Sequence, residues 1–385
     1  MKLVAGTALI GNNDWLTTML KNIAAKIDYI EIHDYIYHPS DINNLTFSDA
    51  QYYTVLNASN EGQMRPRLDG LISIMNQYDA AGRIKIWEGE WGDWLTNTGD
   101  GWQQTGTLMD ALSAGETLNL FIRYCNRMFG AGLAQGINVI HSLMNTNSAG
   151  VMAKLPTFYV FKMFIPHHTN GAKYAPTTIT SEKATGQSCN AVSAAATADN
   201  AGHVNISLTN IDLTATRTVN ITLTGATATY TMASAQIVTG PAKNSYNNFS
   251  QPEVVNIQTL PASNYTLSNG GKTIAATLPA RSIVMFVLSS GVAVKPQTIL
   301  DNNAQDAFSA LAESNGSIMI TSSALRKIPV TIGLYGSDGR TLISKFSQTI
   351  GQGKTSVALG KNLGKGVFIV KITGQGIDLS KRVVL

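Results

Sequence analysis

The fold is decided by one stretch of the chain, Ile84-Lys85-Ile86-Trp87-Glu88-Gly89-Glu90-Trp91-Gly92-Asp93-Trp94. Its first five residues have the character of a short strand, and a cluster of tryptophans and carboxylates follows them. Similar short strands alternate with helical periods on both sides of this stretch, over residues 1–172. Repeated strand–helix units predict a parallel sheet covered by helices.

Three kinds of pattern follow one another along the chain. Hydrophobic periodicity in the first part predicts strands at 2–5, 28–33, 84–88 and 136–140 and helices at 15–25, 68–81, 108–128 and 156–164. Over residues 173–290 helical periodicity disappears, and alternating Thr, Val, Ile and Asn predict an antiparallel, jelly-roll-like β-sandwich. Strands resume over 301–385, where the turn Ser337-Asp338-Gly339 predicts a hairpin in a small immunoglobulin-like β-sandwich.

The composition excludes several classes of partner. The 385 residues include 14% charged side chains with a net charge of +4 and no run of Lys or Arg, so we expect neither nucleic acid nor an anionic membrane as a partner. No apolar run reaches the ~20 residues that span a bilayer. The two cysteines, Cys125 and Cys189, cannot build a disulfide framework or a cysteine-based zinc site, and we expect no metal and no cofactor.

Two predicted strand ends are rich in chemically active side chains. One is Glu31-Ile32-His33-Asp34-Tyr35, and the other holds Glu90 among three tryptophans. Aromatic faces pack against sugar rings, while a carboxylate can meet the positive charge that develops at an anomeric carbon. From composition alone, Glu90 is equally well interpreted as a surface glutamate beyond a strand.

Four motifs in order resemble the C-terminal half of glycoside hydrolase family 51 α-L-arabinofuranosidases. They are Glu90-Trp91-Gly92-Asp93-Trp94, Thr107-Leu108-Met109-Asp110-Ala111-Leu112, Ala134-Gln135-Gly136-Ile137-Asn138-Val139 and Pro156-Thr157-Phe158-Tyr159-Val160-Phe161. Further matches lie in the sandwich, at 248–254 and 278–282, so the resemblance covers residues 1–290. It implies that residues 1–172 are the C-terminal half of a (β/α)8 TIM barrel and that 173–290 are the enzyme's β-sandwich domain.

The resemblance also implies roles for single residues. Glu90 falls on the nucleophile, which would form a covalent glycosyl-enzyme. The His-x-Tyr motif of the family falls on His33 and Tyr35, and the tyrosine hydroxyl would hydrogen-bond the nucleophile and keep it ionised and oriented. Trp94 matches an aromatic side chain at the sugar subsite, and Gln135 matches an amide that binds a sugar hydroxyl.

Other residues near these motifs have plainer interpretations. The residue before the nucleophile is commonly Asp in bacterial members of the family and is Gly89 here. Glu31 and Glu88 share strand parity with His33 and Glu90, which predicts that they also point into the barrel, as hydrogen-bonded filler. Asn138 matches the family as well, and we interpret it as structural.

A second carboxyl group is required by the implied mechanism and is missing from the matched motifs. Retaining glycosidases place it about 5 to 5.5 Å from the nucleophile, where it protonates the leaving oxygen. In this family it comes from an Asn-Glu pair that ends the fourth barrel strand, whereas this chain begins near the fifth. Asn60-Glu61 follows no apolar strand, so we interpret it as unrelated and expect the acid/base outside this chain.

The last module resembles the C-terminal sorting domain of the type IX secretion pathway. The resemblance rests on residues 366–372, the final residues 381–385 and the Asp338-Gly339 hairpin, and a generic immunoglobulin-like appendage is the alternative. It implies a secreted or cell-surface enzyme that uses secretion machinery. Residues 1–6 are interpreted as a strand, so a signal peptide is expected to be absent from this chain.

The predicted function is therefore a retaining glycoside hydrolase that removes non-reducing terminal α-L-arabinofuranosyl residues from arabinan- or arabinoxylan-type polysaccharides. A clan-related β-glycanase is one alternative, because it would share a glutamate at the same strand end. A non-catalytic carbohydrate-binding protein is the other. A homo-oligomer is left open.

Overall fold

The protein is described by a computed structural model that covers residues 1–6, 13–38, 42–43, 45–95, 104–290, 308–312, 317–322, 328–336, 341–350, 353–358, 367–374 and 377–384. The chain divides into two compact units, Met1–Lys295 and Pro296–Leu385. The change of sequence pattern near residue 172 therefore lies inside the first unit.

Four parallel strands form the first sheet, in the order β1-β2-β3-β4. They are β1 (Val4–Gly6), β2 (Tyr29–His38), β3 (Lys85–Leu95) and β4 (Met128–Leu133). The predicted strand–helix alternation is confirmed for this sheet. Parallel strands bring their carboxyl ends to one edge. The chemically active residues that were predicted at the ends of β2 and β3 lie within these strands, because β2 continues to His38 and β3 to Leu95.

The strand predicted at 136–140 is wrong, because the fourth strand lies earlier in the chain. The preceding helix ends at Arg123, and the N–H groups of Arg127 and Met128 donate to the carbonyl of Tyr124 in a tight turn before β4. Glycines at positions 130 and 132 weaken the strand pattern of β4. Residues 136–140 instead form a loop in which Asn138 has a φ of 59°.

The described residues of the first unit form five α-helices: α1 (Asn13–Ile23), α2 (Asp49–Asn57), α3 (Met64–Tyr78), α4 (Leu108–Arg123) and α5 (Pro156–Phe164). The predicted bounds of α5 are confirmed. Helix α2 was not predicted, although Ser48 and Gln51 form a capping box at its start. A π-helical turn, Ala58–Gly62, and 3₁₀ turns at Ala24–Lys26, Ile165–His168 and Ala262–Asn264 complete the helical segments. Within the described ranges, no helix is both long and apolar enough to cross a membrane.

Two antiparallel sheets form the predicted β-sandwich. One has the order β12-β11-β15-β9-β8-β7 and the other the order β10-β14-β13. Their strands are β7 (Lys173–Tyr174), β8 (Val192–Ala198), β9 (His203–Asn210), β10 (Arg217–Thr222), β11 (Thr231–Val238), β12 (Ile257–Thr259), β13 (Tyr265–Ser268), β14 (Thr273–Leu278) and β15 (Ser282–Ser289). A short hairpin of β5 (Met144–Thr146) and β6 (Met152–Lys154) precedes α5.

Helix α4 joins the parallel sheet to the sandwich. It packs against β3 on one side and against β8, β9 and β15 on the other, and nearly all of its residues are buried. The side-chain amide of Asn119 donates to the hydroxyls of Ser193 and Thr209 at 3.0 and 3.2 Å and accepts from Ser207 at 2.5 Å. These buried hydrogen bonds fix the helix against the sandwich, since an unpaired polar group there would be costly.

The second unit consists of strands in two antiparallel sheets, β16-β17-β20 and β19-β18-β21-β22. The strands are β16 (Phe308–Ala312), β17 (Ser317–Ser322), β18 (Ile328–Tyr335), β19 (Leu342–Ile350), β20 (Gly353–Ala358), β21 (Val367–Gly374) and β22 (Ile377–Val384). The turn Ser337-Asp338-Gly339 lies outside the described residues, but β18 and β19 on either side of it pair antiparallel, as a hairpin requires.

Candidate active site

An extra residue in β3 determines where Glu90 points. Ile32 of β2 pairs with Glu88, and the next residue, His33, pairs with Glu90, so Gly89 is inserted between two successive pairs. Such an insertion is a β-bulge, and bulges re-aim side chains next to active sites. Beyond the bulge, Glu90 lies on the same face of the sheet as His33.

The bulge also places Glu88 and Glu90 on opposite faces of the sheet, although two residues of a regular strand at this spacing would share a face. Ile30, Ile32 and Asp34 of β2 are buried, whereas Glu31 and His33 are partly exposed on the opposite face. Before the bulge, Glu88 pairs with Ile32 of β2. It therefore lies on the same covered face of the sheet as Ile32 and is fully buried. The prediction that Glu88 shares a face with Glu90 is therefore wrong, while Glu31 does share the face of His33.

Two predicted site residues, Tyr35 and His33, meet at Glu90. The hydroxyl of Tyr35 donates to Glu90 Oε2 at 2.8 Å, which is the contact that the family resemblance implies. His33 Nδ1 lies 3.5 Å from the same oxygen. Burial and the contact with Glu90 raise the pKa of Tyr35, so its hydroxyl keeps its proton at neutral pH. The ring of Trp94 stands edge-on to Tyr35 at 5.3 Å and adds an aromatic wall.

The matches in the loop after β4 lie apart from this cluster. Gln135 is exposed, and no hydrogen bond among the described residues joins it to Glu90. Asn138 donates to Thr146 Oγ1 at 2.8 Å and accepts from the Thr146 N–H at 2.7 Å. These bonds close the loop, in agreement with the structural interpretation of Asn138.

The Asn60-Glu61 pair lies in the π-helical turn and not at a strand end. Asn60 is 4% exposed and donates to Glu116 of α4 at 2.7 Å, while Glu61 forms an ion pair with Arg65 at 3.1 Å. Both side chains serve the packing of α4 and α3, as expected from the lack of an apolar strand before them.

Buried charge lies behind the site, on the helix-covered face of the sheet. Burial raises the pKa of Asp34 to about 6, and the guanidinium of Arg67, which is paired with it, opposes that rise. Burial, together with Asp34, raises the pKa of Glu88 well above its usual range. Gln63 donates to the backbone carbonyl of Tyr35 at 2.9 Å. No sequence pattern marks Gln63 or Arg67, because Gln63 immediately precedes α3, Arg67 lies on it, and the contact of both with β2 is tertiary.

A second cluster holds the end of β3, and its composition resembles a metal site. Asp93, Asp110 and His141 are fully buried, with ligand atoms within 4.8 Å of one another. Asp110, however, accepts hydrogen bonds on both oxygens, from Gln104 on one and from the N–H and hydroxyl of Thr107 on the other. Asp110 and Thr107 form the capping box of α4, and Ser113 of α4 donates to Asp93 Oδ1 at 2.5 Å, so we assign the cluster to anchoring β3 against α4.

The backbone of Asp93 is tied to the same cluster. Its N–H donates to His141 Nδ1 at 2.6 Å, and burial lowers the pKa of His141 to about 4, which keeps the ring neutral and able to accept. Gly92 has a φ of 147°, and a β-carbon there would lie 2.9 Å from that of His141. Glycine is therefore required in β3 immediately after Glu90 and Trp91.

The chain is similar in sequence to known α-L-arabinofuranosidases. Residues 89–282 match the family described as the α-L-arabinofuranosidase C-terminal domain. The chain is 30% identical over 285 residues to an intracellular exo-α-L-arabinofuranosidase of Bacteroides ovatus, covering 71% of this chain and 53% of that protein. The chain thus spans about half the length of the curated relative it matches.

Solved structures give the same result for the fold. The GH51 arabinofuranosidase of Xanthomonas axonopodis pv. citri is similar with a TM-score of 0.66 and 27% identity, covering 74% of this chain and 58% of that one. A family 51 α-L-arabinofuranosidase of Bifidobacterium longum is similar with a TM-score of 0.62 and 22% identity, covering 75% and 59%.

Proposed function

Because the chain belongs to the family of the α-L-arabinofuranosidase C-terminal domain, we propose that it is part of a retaining glycoside hydrolase. Its substrates would be polysaccharides of the arabinan or arabinoxylan type, from which it removes non-reducing terminal α-L-arabinofuranosyl units. The single observation that supports this most strongly is the placement of Glu90. A β-bulge in β3 turns this carboxylate to the face of the sheet that holds His33, where Tyr35 donates to it and His33 faces it.

In the proposed reaction, Glu90 attacks the anomeric carbon and the glycosidic C–O bond breaks. The departing oxygen takes a proton from a second carboxyl group, and water later hydrolyses the glycosyl ester with that group as base, which regenerates Glu90. Tyr35 holds the attacking oxygen in place with its hydrogen bond, and Trp94 offers an aromatic edge beside the sugar. His33, Tyr35, Trp94 and Gln135 are the proposed substrate-binding residues.

We place the acid/base outside these residues, on strands that complete the barrel. The open face of the parallel sheet supports this, because Trp87 and Phe129 are 39% and 59% exposed there and contact each other with ring centres 5.7 Å apart. Large exposed aromatic clusters mark surfaces that another element covers. The proposal is that the preceding half of the barrel covers them and brings the acid to within about 5.5 Å of Glu90.

The test is a Glu90→Ala variant of the enzyme that carries the complete barrel. We expect loss of turnover of an aryl α-L-arabinofuranoside, with partial recovery in azide and inversion of the product, because azide can replace a missing nucleophile. Glu61→Ala, which removes a partly exposed carboxylate near α4, is the matched control and should keep full activity. Unchanged turnover by Glu90→Ala would refute the nucleophile, and binding of arabinan without any turnover by the wild type would favour the carbohydrate-binding alternative.

We propose that the second unit serves export and not chemistry. Its described residues form a separate compact unit of strands. The similarity of residues 366–372 and 381–385 to type IX sorting domains supports a signal for secretion machinery, which would make the protein secreted or exposed at the cell surface.

A further inference from the structure

We propose that Glu31 is a positioning residue for His33. Its carboxylate occupies the space beside Gly89, which has no side chain, and holds the His33 ring next to Glu90. The consequence for turnover rests on the proposed function, whereas the geometry does not. Glu31 Oε1 lies 2.5 Å from His33 Nε2, and the other ring nitrogen of His33 lies 3.5 Å from Glu90 Oε2. The imidazole is therefore bridged between a carboxylate of β2 and a carboxylate of β3.

The room for the Glu31 carboxylate exists because the bulge residue Gly89 has no side chain. Glu31 pairs with Gly6 on β1 and with Trp87 on β3, and its carboxylate lies beside Gly89. A β-carbon at position 89 would overlap the Glu31 carboxylate, with the carboxyl carbon only 2.9 Å away. At position 6 a β-carbon would lie 3.8 Å from Glu31 Oε2, an ordinary contact. Only position 89 therefore has to be glycine for Glu31 to reach His33.

This gap explains the departure at position 89 noted in the sequence. An aspartate there, as the resemblance would lead one to expect, could not coexist with Glu31 in this position. The carboxylate next to the bulge here comes from β2 and not from β3.

The contact determines which ring nitrogen of His33 carries the proton. A carboxylate at 2.5 Å from Nε2 requires a proton on Nε2, because two acceptors would otherwise face each other. In the neutral ring, Nδ1 is then the nitrogen that faces Glu90. Without Glu31 the ring is free to rotate and to exchange between its two tautomers, so the group next to the nucleophile loses its fixed orientation.

The experiment is ¹⁵N NMR of histidine side chains in the 385-residue chain, at a pH where the His33 ring is neutral, with His33→Gln used for assignment. We expect the Nε2–H tautomer alone in the wild type and a mixture of both tautomers in Glu31→Ala and Gly89→Ala. Glu31→Gln, which still offers an oxygen acceptor, should keep the Nε2–H form, and Gly6→Ala is the matched control that should change nothing.

The double variant Glu31→Ala/Gly89→Ala tests whether Gly89 acts through the Glu31 carboxylate. In the Glu31→Ala background, Gly89→Ala should have no further effect, because the atoms it displaces are gone. An unchanged tautomer in Glu31→Ala, or an additional effect of Gly89→Ala in that background, would overturn the proposal. Glu31→Ala only removes atoms, so it decides the question even where Gly89→Ala does not fold.

Turnover is the second readout, in the enzyme with the complete barrel. We expect kcat to fall at least ~10-fold in Glu31→Ala and in Gly89→Ala, with the double variant no lower than Glu31→Ala. Full activity of both single variants would overturn the positioning role. If Glu90→Ala stays active while the tautomer shifts as expected, the proposed function fails and the Glu31–His33 assignment stands.

Discussion

Replacing Glu116 by glutamine should remove one defined contribution to the pH dependence of the first unit's stability. The Glu116 carboxylate is buried between α4, the π-helical turn and β8, where it accepts from Asn60 and Ser193 at 2.7 Å each. Burial raises its pKa from the usual 4.5 to about 7, and the two hydrogen bonds only partly oppose that rise. A glutamine amide fits the same site, because the Asn60 side chain can flip and offer its unpartnered Oδ1 to it.

The sign and the size follow from linkage. Between pH 4.5 and 7 the folded state binds more protons at Glu116 than the unfolded state does, so this group lowers stability as pH rises. The effect is absent below pH 4.5 and complete above pH 7. Since one pKa unit corresponds to about 1.36 kcal/mol, a rise from 4.5 to about 7 corresponds to a loss of about 3 kcal/mol.

Urea unfolding followed by tryptophan fluorescence measures this for the first unit alone, because all five tryptophans lie between residues 15 and 102. The difference in the free energy of unfolding between Glu116→Gln and the wild type should change by about 3 kcal/mol in favour of the variant between pH 4.5 and 8. Glu61→Gln, whose side chain is 36% exposed in the same region, is the control. Its charge adds less to the rise at Glu116 than burial does, so this variant should leave most of the pH dependence in place. A difference that stays constant over this pH range would refute the reasoning.

Three further outcomes are expected. Gly92→Ala should destabilise the first unit by about 1 to 3 kcal/mol in thermal unfolding, because Gly92 has a positive φ and the His141 side chain occupies the space of a β-carbon. Gly136→Ala is the control and should be neutral, since no atom lies within 4 Å of a β-carbon there. Tyr35→Phe should lower kcat of the complete enzyme by about 10- to 100-fold without unfolding it, since a hydrogen bond to a charged group is worth about 1.5 to 3 kcal/mol; an unchanged kcat would exclude a role for the bond to Glu90. Removal of residues 296–385 from the full gene should trap the enzyme in the periplasm of a host with the type IX pathway at unchanged activity per molecule, and normal export would exclude the sorting role.

Local patterns predicted the elements that carry a strong local signal. Helix α5 begins with a proline and is flanked by turn residues, so its bounds could be read directly from the sequence. Strand β4 could not, because Gly130 and Gly132 dilute its pattern and the apolar run at 136–140 imitates a strand. Helix α2 has a capping box but only a weak apolar face, and periodicity therefore missed it.

At the candidate site, the sequence motif predicted the contact between Tyr35 and Glu90 but not the side of the sheet on which Glu88 lies. Parity along a strand is reliable only while pairing is regular, and the insertion at Gly89 becomes visible only once β2 and β3 are paired. The bridge from Glu31 through His33 had no local signal for the same reason. Contacts across strands depend on register, which a single sequence does not fix.

The polar row on α4 limits how this protein can be recombined with its relatives. Glu116 and Asn119 carry hydrogen bonds to Ser193, Ser207 and Thr209 of β8 and β9, and a sandwich with apolar residues at those places would leave the helix with buried groups that have no partner. A chimaera joined near residue 172 would therefore separate the donors of α4 from their acceptors in the sandwich. One that exchanges residues 104–290 as a block would keep the bonds of α4 to β8 and β9, while the bonds of α4 to Ser59 and Asn60 would still cross the junction. Helix α4 and strands β8 and β9 should therefore be exchanged together.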